Sequence, residues 1–260
     1  MTGLAQRLRR VSAIDVSRKA GGIFRDYVTR LYYPLHDLST RQRLRCTPAL
    51  FAIEFLVYQV DAVTEGAKDV DLDVARNDDY TRLHRYKTTF ESLLRRAHAF
   101  NDAVAEQLDM GERYVRLENR VTSGWATGQQ AGYEETIGLV ELRPSDVRLL
   151  HAMIFARLRR PVDTGLMDLL WPVEVLADIA NDLEHYHSDV ARGQFNTYGA
   201  FVTLFGHGAE ARLRAEIDRY EQMFRDRLTV VPPERRERVA DLCARRYRDR
   251  VAQMPATRPP

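Results

Sequence analysis

The sequence predicts an all-α protein built as one helical bundle. Apolar residues recur at helical spacing through most of the chain. The dipeptides Asn-Gly and Asp-Gly, which mark tight β-hairpins, are absent, and short alternating runs are few. The 260 residues, 45% of them apolar, suffice for a domain with a sizeable core. We therefore expect a single domain of about ten helices.

Composition argues against several classes of protein. The formal net charge is only +2, from 39 basic and 37 acidic residues, and gives no argument for nucleic-acid binding. Cys46 and Cys243 form neither a disulfide framework nor a zinc spacing, which fits a reducing cytoplasm. No apolar run follows the basic start of the chain, so no secretory signal is expected. The longest apolar stretch, residues 49–60, is too short to span a bilayer.

Glycine, proline and capping residues predict the helix boundaries of the first half. Gly21 and Gly22 are expected to break a basic lead-in of residues 1–20. Ser39 or Thr40 is expected to cap one helix, and Pro48 to open the next at its first position. These signals predict helices at 23–34, 48–67, 80–108 and from 111 onward, with an acidic loop at 68–79.

Glycines recur every four residues in the next segment, at Gly124, Gly128 and Gly132. Each costs a helix about 1 kcal/mol relative to alanine, so the run predicts close packing or a broken helix. Further helices are predicted at 144–160, from 163 or 164 to about 193, at 195–206, at 209–228 and from 233 to 253, the last holding Arg246 and Tyr247, before a disordered tail at 254–260.

A polar stripe on the helix that ends near Gly193 is the strongest functional signal. Asn181, His185 and Asp189 are four residues apart, so each lies about 40° around and about 6 Å along the helix from the one before. The three side chains can therefore converge on one ligand. Because magnesium accepts carboxylate and amide oxygens, the stripe predicts a metal site.

The sequence NDLEHYHSDVARG at 181–193 resembles the second metal motif of class I terpene synthases, Asn-Asp-x-x-Ser-x-x-x-Glu followed by glycine. Asn181 and Asp182 match it, whereas His185 replaces the serine and Asp189 the glutamate. The stretch also resembles the second motif of squalene and phytoene synthases. Both families share one helical fold and hold diphosphate through magnesium. The resemblance implies the class I terpenoid synthase fold over residues 21–253, with a central apolar pocket.

The resemblance also assigns metal ligands to an earlier helix. Asp61 and Glu65 stand where the family has Asp-Asp-x-x-Asp, with Ala62 at the middle position. Their i, i+4 spacing puts both carboxylates on one helix face. The implied ligands of magnesium, or of manganese in its place, are Asp61, Glu65, Asn181, His185 and Asp189.

Arginines near the C-terminus and after the stripe would hold the diphosphate. Arg246 and Tyr247 resemble the Arg-Tyr pair of the family, and Arg192 follows the stripe by one turn. The diphosphate-sensing arginine is missing, because the pattern Arg-x-x-Thr-x-Gly places it at Tyr133. Either another arginine compensates or the diphosphate is handled differently; the candidates are Arg143 and Arg148.

The resemblance implies a magnesium-dependent terpene cyclase that ionises a prenyl diphosphate and cyclises the carbocation. The departures from the motifs favour a diterpene synthase acting on a bicyclic diphosphate, and such enzymes often form homodimers. Asp61, Asp189 and Tyr247 would be catalytic. Aromatic faces stabilise carbocations, and the predicted pocket residues are Phe55, Tyr58, Trp125 and Trp171.

Three alternatives remain open at this stage. A squalene- or phytoene-type coupling enzyme would share the fold. A helical non-haem iron oxygenase would use Glu184 and His187 as Glu-x-x-His, but that chemistry needs a second such motif, which the sequence lacks. A non-catalytic bundle would keep the stripe only as a structural feature.

Overall fold

The computed structural model describes residues 13–67, 75–126 and 128–256; within these ranges, the side chains of 13–15, 60–67, 75–83 and 126 are not described. The described residues are mostly helical and contain no β-strand, so the predicted all-α fold is confirmed. The helices are α1 (Ala13–Ile23), a π-helical segment (Phe24–Tyr32), α2 (Tyr33–Leu35), α3 (Thr40–Ala67), α4 (Ala75–Arg96), α5 (Asp102–Ala126), α6 (Tyr133–Leu142), α7 (Ser145–Leu158), α8 (Thr164–Ala191), α9 (Thr197–Phe205), α10 (Ala209–Arg227), α11 (Pro233–Ala244) and α12 (Arg248–Val251), with 3-10 turns at Gly206–Gly208 and Leu228–Val230.

Two breaks predicted for the first half, at Gly21–Gly22 and before Pro48, are continuous helix. Helix α1 runs through Gly21 and Gly22, so the expected break there is wrong. Helix α3 likewise continues through Pro48. Proline lacks the N–H that would bond to the carbonyl of Leu44, but Leu44 is 69% exposed, so water can satisfy that carbonyl. The prediction that Pro48 opens a separate helix is therefore wrong.

The predicted boundary between helices at 108–111 is wrong, because α5 runs through Gly111 and the break lies at 97–101 instead. Helix α4 ends at Arg96, His98 adopts the left-handed conformation (φ 51°), and the amide of Val104 donates to Asn101 Oδ1 at 2.9 Å as α5 begins. Asparagine is a favoured N-cap, and its signal in the sequence was missed. Residues 75–79 of the predicted acidic loop belong to α4, which begins at Ala75, so that part of the prediction is wrong; residues 68–74 lie outside the described residues.

The helix is broken in the glycine-rich segment, which was one of the two predicted outcomes. Helix α5 ends at Ala126, and Gly128 is left-handed (φ 76°) before α6 begins at Tyr133. A Cβ on Gly124 would lie 3.2 Å from the carbonyl oxygen of Gln129, so this glycine permits a close approach of the backbone.

The chain divides into two compact units. The first comprises Met1–Leu108 and Leu149–Val162, the second Asp109–Arg148 and Asp163–Pro260. Each has its own apolar core, with fully buried residues Leu31, Tyr32, Leu50, Leu94, Leu150, Met153 and Ile154 in the first and Leu139, Leu169, Leu170, Phe201 and Tyr220 in the second. The expectation of one domain over 21–253 stays a prediction.

Helix α8 is the longest helix of the second unit and carries the predicted stripe. It begins where the Asp163 carboxylate accepts a hydrogen bond from the Leu166 amide at 2.9 Å, as predicted. Pro172 lies inside it and leaves the carbonyl of Asp168 without a helical donor. Arg227 of α10 replaces that donor, with Nη1 at 2.7 Å from the same oxygen. The helix ends at Ala191, close to the left-handed Gly193 (φ 65°), as predicted.

Among the described residues, no helix is both long and apolar enough to cross a bilayer.

Candidate functional site

The buried face of α8 is fixed by Asp182, a residue with no exposed surface. Arg143 Nη1 lies 2.6 and 2.7 Å from its two carboxylate oxygens. Both the amide and the hydroxyl of Thr197 donate to Oδ2, each at 2.7 Å. These contacts satisfy a carboxylate whose burial without partners would be costly. Asp182 therefore ties α8 to the end of α6 and the start of α9.

Asn181 and His185 lie on the exposed side of the same helix. His185 Nδ1 is 2.9 Å from the carbonyl oxygen of Asn181. A carbonyl can only accept, so Nδ1 carries the proton and Nε2 keeps its lone pair while the ring is neutral. Histidines that bind metals commonly donate their other N–H to a backbone carbonyl in this way.

Asp189, the third residue of the stripe, lies at the C-terminal end of α8 with 13% of its side chain exposed. Arg192 Nη2 donates to Oδ1 at 2.9 Å, and Asn196 Nδ2 donates to Oδ2 at 3.1 Å. Oδ1 also accepts from Ser188 Oγ at 3.4 Å, so the remaining acceptor capacity of the carboxylate lies on Oδ2. Arg192 is 58% exposed, which places a cation beside a carboxylate at the surface of the helix.

The donors of the stripe suit a divalent metal only in part. One amide, one imidazole and one paired carboxylate supply a single negative charge, which Arg192 offsets. No three His, Cys, Asp or Glu side chains among those described approach closely enough to hold a metal ion. Asp61 and Glu65, the other predicted ligands, are helical in α3, but their side chains lie outside the described residues. The stripe thus fits a metal only with further ligands.

The predicted Arg-Tyr pair lies between α11 and α12, so its placement inside the last helix is wrong. Arg246 is half-buried, and its carbonyl accepts from the Arg250 guanidinium. Tyr247 is only 2% exposed. Burial, reinforced by the nearby Glu221, raises the pKa of its hydroxyl to about 12. Reaching a diphosphate would require this side chain to move.

The four aromatic residues predicted for the pocket are all half-buried. Trp125 stacks on Phe195, with ring centroids 6.2 Å apart. Trp171 Nε1 donates to the carbonyl of Glu141 at 3.3 Å, and its ring meets the edge of Tyr220. The two tryptophans therefore belong to different clusters of the second unit. Phe55 and Tyr58 lie in the first unit, where Lys19 Nζ is 5.9 Å from the Tyr58 ring.

Tyr133, at the position of the missing sensor arginine, contacts α10. Its hydroxyl donates to Glu216 Oε1 at 2.5 Å. Of the two suggested substitutes, Arg143 is paired with Asp182, and Arg148 Nη1 is 3.0 Å from Glu174 Oε2. Both candidate arginines therefore already have carboxylate partners.

Sequence reasoning missed a second row of acids on α8. Glu174, Asp178 and Asp182 are also four residues apart, so the spacing used for the polar stripe could have found them. Burial raises the pKa of Asp178 well above its usual range, and the negative charges of Asp146, Asp182 and Glu174 raise it further. Burial likewise raises the pKa of Asp146 to about 6, although the hydrogen bond from the Val147 amide and the charge of Arg143 each lower it.

The Glu-x-x-His of the iron alternative is fully on the surface. Glu184 and His187 are both exposed, and the Glu184 carboxylate lies 3.5 Å from Arg250 Nη1.

Comparison of the chain with models of known protein families, with curated proteins and with solved structures finds no match.

Proposed function

We propose that this protein is a metal-dependent class I terpene synthase that acts on a prenyl diphosphate. The observation that carries the proposal is the division of α8 into two faces. Asp182 is held on the buried face, Asn181 and His185 lie on the exposed face, and the buried Asp189 lies two turns beyond Asp182 at the end of the helix. This arrangement supports the proposal because Asn181 and His185, which the resemblance assigns to the metal, remain accessible to a ligand.

The buried contacts determine how α8 presents its exposed face. Consecutive residues are 100° apart around a helix, so fixing Asp182 against Arg143 and Thr197 also fixes the direction of Asn181. The imidazole of His185 is oriented through its bond to the Asn181 carbonyl. The ligands are therefore positioned before any substrate arrives, which reduces the cost of binding.

Asp189 and Arg192 would have different roles at the end of the stripe. The carboxylate would hold the metal, and the exposed guanidinium would contact diphosphate oxygens directly. A bound magnesium or manganese ion would neutralise charge on the departing diphosphate. Asp61 and Glu65 would supply the additional carboxylates, and Arg246 and Tyr247 the additional anion contacts. Imidazole is a better ligand for manganese than for magnesium, so we expect His185 to favour manganese.

The test is incubation of the purified chain with geranyl, farnesyl, geranylgeranyl and bicyclic diterpenyl diphosphates, with magnesium or manganese. Diphosphate release and gas chromatography–mass spectrometry report the reaction. We expect a cyclic product from the bicyclic substrate that disappears with EDTA, and at least a hundredfold loss of activity in Asp189→Ala.

The matched control is Glu184→Gln, which changes an exposed acid on the same helix outside the stripe and should leave activity unchanged. A product with the carbon atoms of two substrates would instead indicate a prenyl coupling enzyme. Absence of diphosphate release from every substrate, with both metals, would overturn the proposal.

A further inference from the structure

Three helix ends of the first unit meet at the guanidinium of Arg157. Its Nη1 donates to the carbonyl of Ala97, just after α4, and its Nη2 donates to the carbonyl of Arg45 in α3 at 2.8 Å. Arg157 itself lies in the last turn of α7. The contacts bring together basic residues from three distant parts of the sequence. We define the arginine surface as Arg41, Arg45, Arg96, Arg159 and Arg160.

All five side chains of the arginine surface are exposed, and none forms an ion pair with an acidic side chain among those described. Arg43 differs, because its Nε donates to the carbonyl of Leu38 at 2.9 Å. On an ordinary solvated face, acids and bases are interspersed. A group of like charges without acidic partners attracts anions.

A buried thiol close to the arginine surface lies in the same positive field. Cys46 is buried, and burial raises the pKa of its thiol. Arg157, Arg45 and Arg160 act in the opposite direction, which requires that all three charges lie near the sulfur. Arg45 and Arg160 of the arginine surface, which are distant in sequence, are therefore close to the same thiol.

Apolar side chains accompany the charges on α3. Arg41, Leu44, Arg45 and Pro48 follow helical spacing and are all exposed. Leu44 is 69% exposed and Phe51, one turn beyond Pro48, is 38% exposed. A surface that only attracted phosphate would gain nothing from an exposed leucine. Basic and apolar residues together are typical of segments that lie in the headgroup region of a membrane.

We propose that the arginine surface and the exposed face of α3 bind a membrane that carries anionic lipids. The arginines contact lipid phosphates, and Leu44 enters the boundary between headgroups and acyl chains. Attachment is peripheral and reversible, because a few arginines and one leucine provide far less free energy than a spanning helix. The inference is independent of the proposed function, since it uses other residues and another ligand.

The experiment is co-sedimentation of the full chain with vesicles of phosphatidylcholine alone or of phosphatidylcholine with about 30% phosphatidylglycerol. We expect binding only to the anionic vesicles, and loss of binding in about 0.5 M salt, where screening is nearly complete at contact distances. Arg41→Glu/Arg45→Glu should reduce partitioning at least tenfold, since each basic residue near an anionic surface contributes about one kcal/mol, or roughly fivefold. Leu44→Ser should reduce partitioning several-fold and leave the salt dependence unchanged.

The control is Arg245→Glu/Arg248→Glu, which makes the same change of charge at exposed positions of the second unit and should bind as the parent does. Circular dichroism would establish that each variant is folded. Equal binding of the two charge-reversal variants would overturn the inference. So would tight binding to a short oligonucleotide without binding to anionic vesicles, which would assign the surface to nucleic acid instead.

Discussion

Arg143 and Asp182 form the closest buried ion pair of the second unit among the described residues, with Nη1 at 2.6 and 2.7 Å from the two carboxylate oxygens. The pair joins the residue that follows α6 to the middle of α8. Asp182 is about 100° around α8 from Asn181, so the pair can set the rotation of the helix while Asn181 stays exposed.

Asp182→Asn should destabilise the protein by about 3 kcal/mol, because it leaves Arg143 without its buried counter-charge and weakens the bonds from Thr197. Urea unfolding measures the change. Glu184→Gln is the comparison, since that acid is exposed and 3.5 Å from Arg250, and should cost under about 0.5 kcal/mol. Equal losses in the two variants would show that the Arg143–Asp182 pair contributes no more than a surface contact.

Asp146 should make stability decline as the pH rises. Its pKa of about 6 in the folded state exceeds the usual 3.8, so between these values the native state binds a proton that the unfolded chain releases. Stability from this group is therefore greatest below about pH 4 and is lost up to about pH 6. Relative to the parent, Asp146→Asn should gain about 3 kcal/mol across that interval.

Urea unfolding of the parent and of Asp146→Asn at several pH values measures this difference. If the two unfolding free energies differ by the same amount at every pH, the difference reflects only the loss of an acid in the first turn of α7. Unfolding free energies that change in parallel for the two proteins between pH 4 and pH 6 would therefore contradict the raised pKa of Asp146.

The sequence predicted the long helices well where local signals agree with packing. Asp163 and Gly193 define the ends of α8 through their own backbone chemistry, so both could be found without tertiary information. The π-helical segment, by contrast, has no local signal that we recognised. Pro48 misled the prediction because its effect depends on whether the freed carbonyl meets water, which is a property of the fold.

The candidate site was predictable only in part. Spacing identified Asn181, His185 and Asp189, but the same spacing describes Glu174, Asp178 and Asp182. Glu174 and Asp182 are buried because Arg148 and Arg143 offer them partners from outside α8. Those contacts join residues 26 or more positions apart, and periodicity within one helix does not report them.

Asn196→Ala should affect both stability and the orientation of Asp189. The buried Asn196 amide donates to the Asp182 carbonyl at 2.8 Å and to Asp189 Oδ2 at 3.1 Å, and its oxygen caps α9 at the Gly199 amide. We expect a loss of about 2 kcal/mol from the cap and the buried donors. If the proposed function holds, the KM for the metal should rise as well.

Asn196→Asp provides the comparison, since it keeps the cap but places a negative charge against Asp189. It should retain the cap contribution yet lose stability through repulsion that is relieved at low pH. Thermal unfolding at pH 5 and pH 8 distinguishes the two variants. Identical pH dependence in both would mean that the contact with Asp189 is not formed in solution.

Arg227 and Pro172 should be coupled although their side chains form no hydrogen bond with each other. Arg227 Nη1 bonds to the Asp168 carbonyl that Pro172 leaves without a helical donor. Arg227→Met should therefore cost about 1–2 kcal/mol in the parent. Pro172→Ala restores an N–H for the same carbonyl, so Arg227→Met should cost about 1 kcal/mol less in that background.

The contact of Arg227 with the Trp171 ring, 5.5 Å away, is present in both backgrounds and cancels in the double-mutant cycle. A coupling free energy of zero in urea unfolding would show that water, and not Arg227, satisfies the carbonyl.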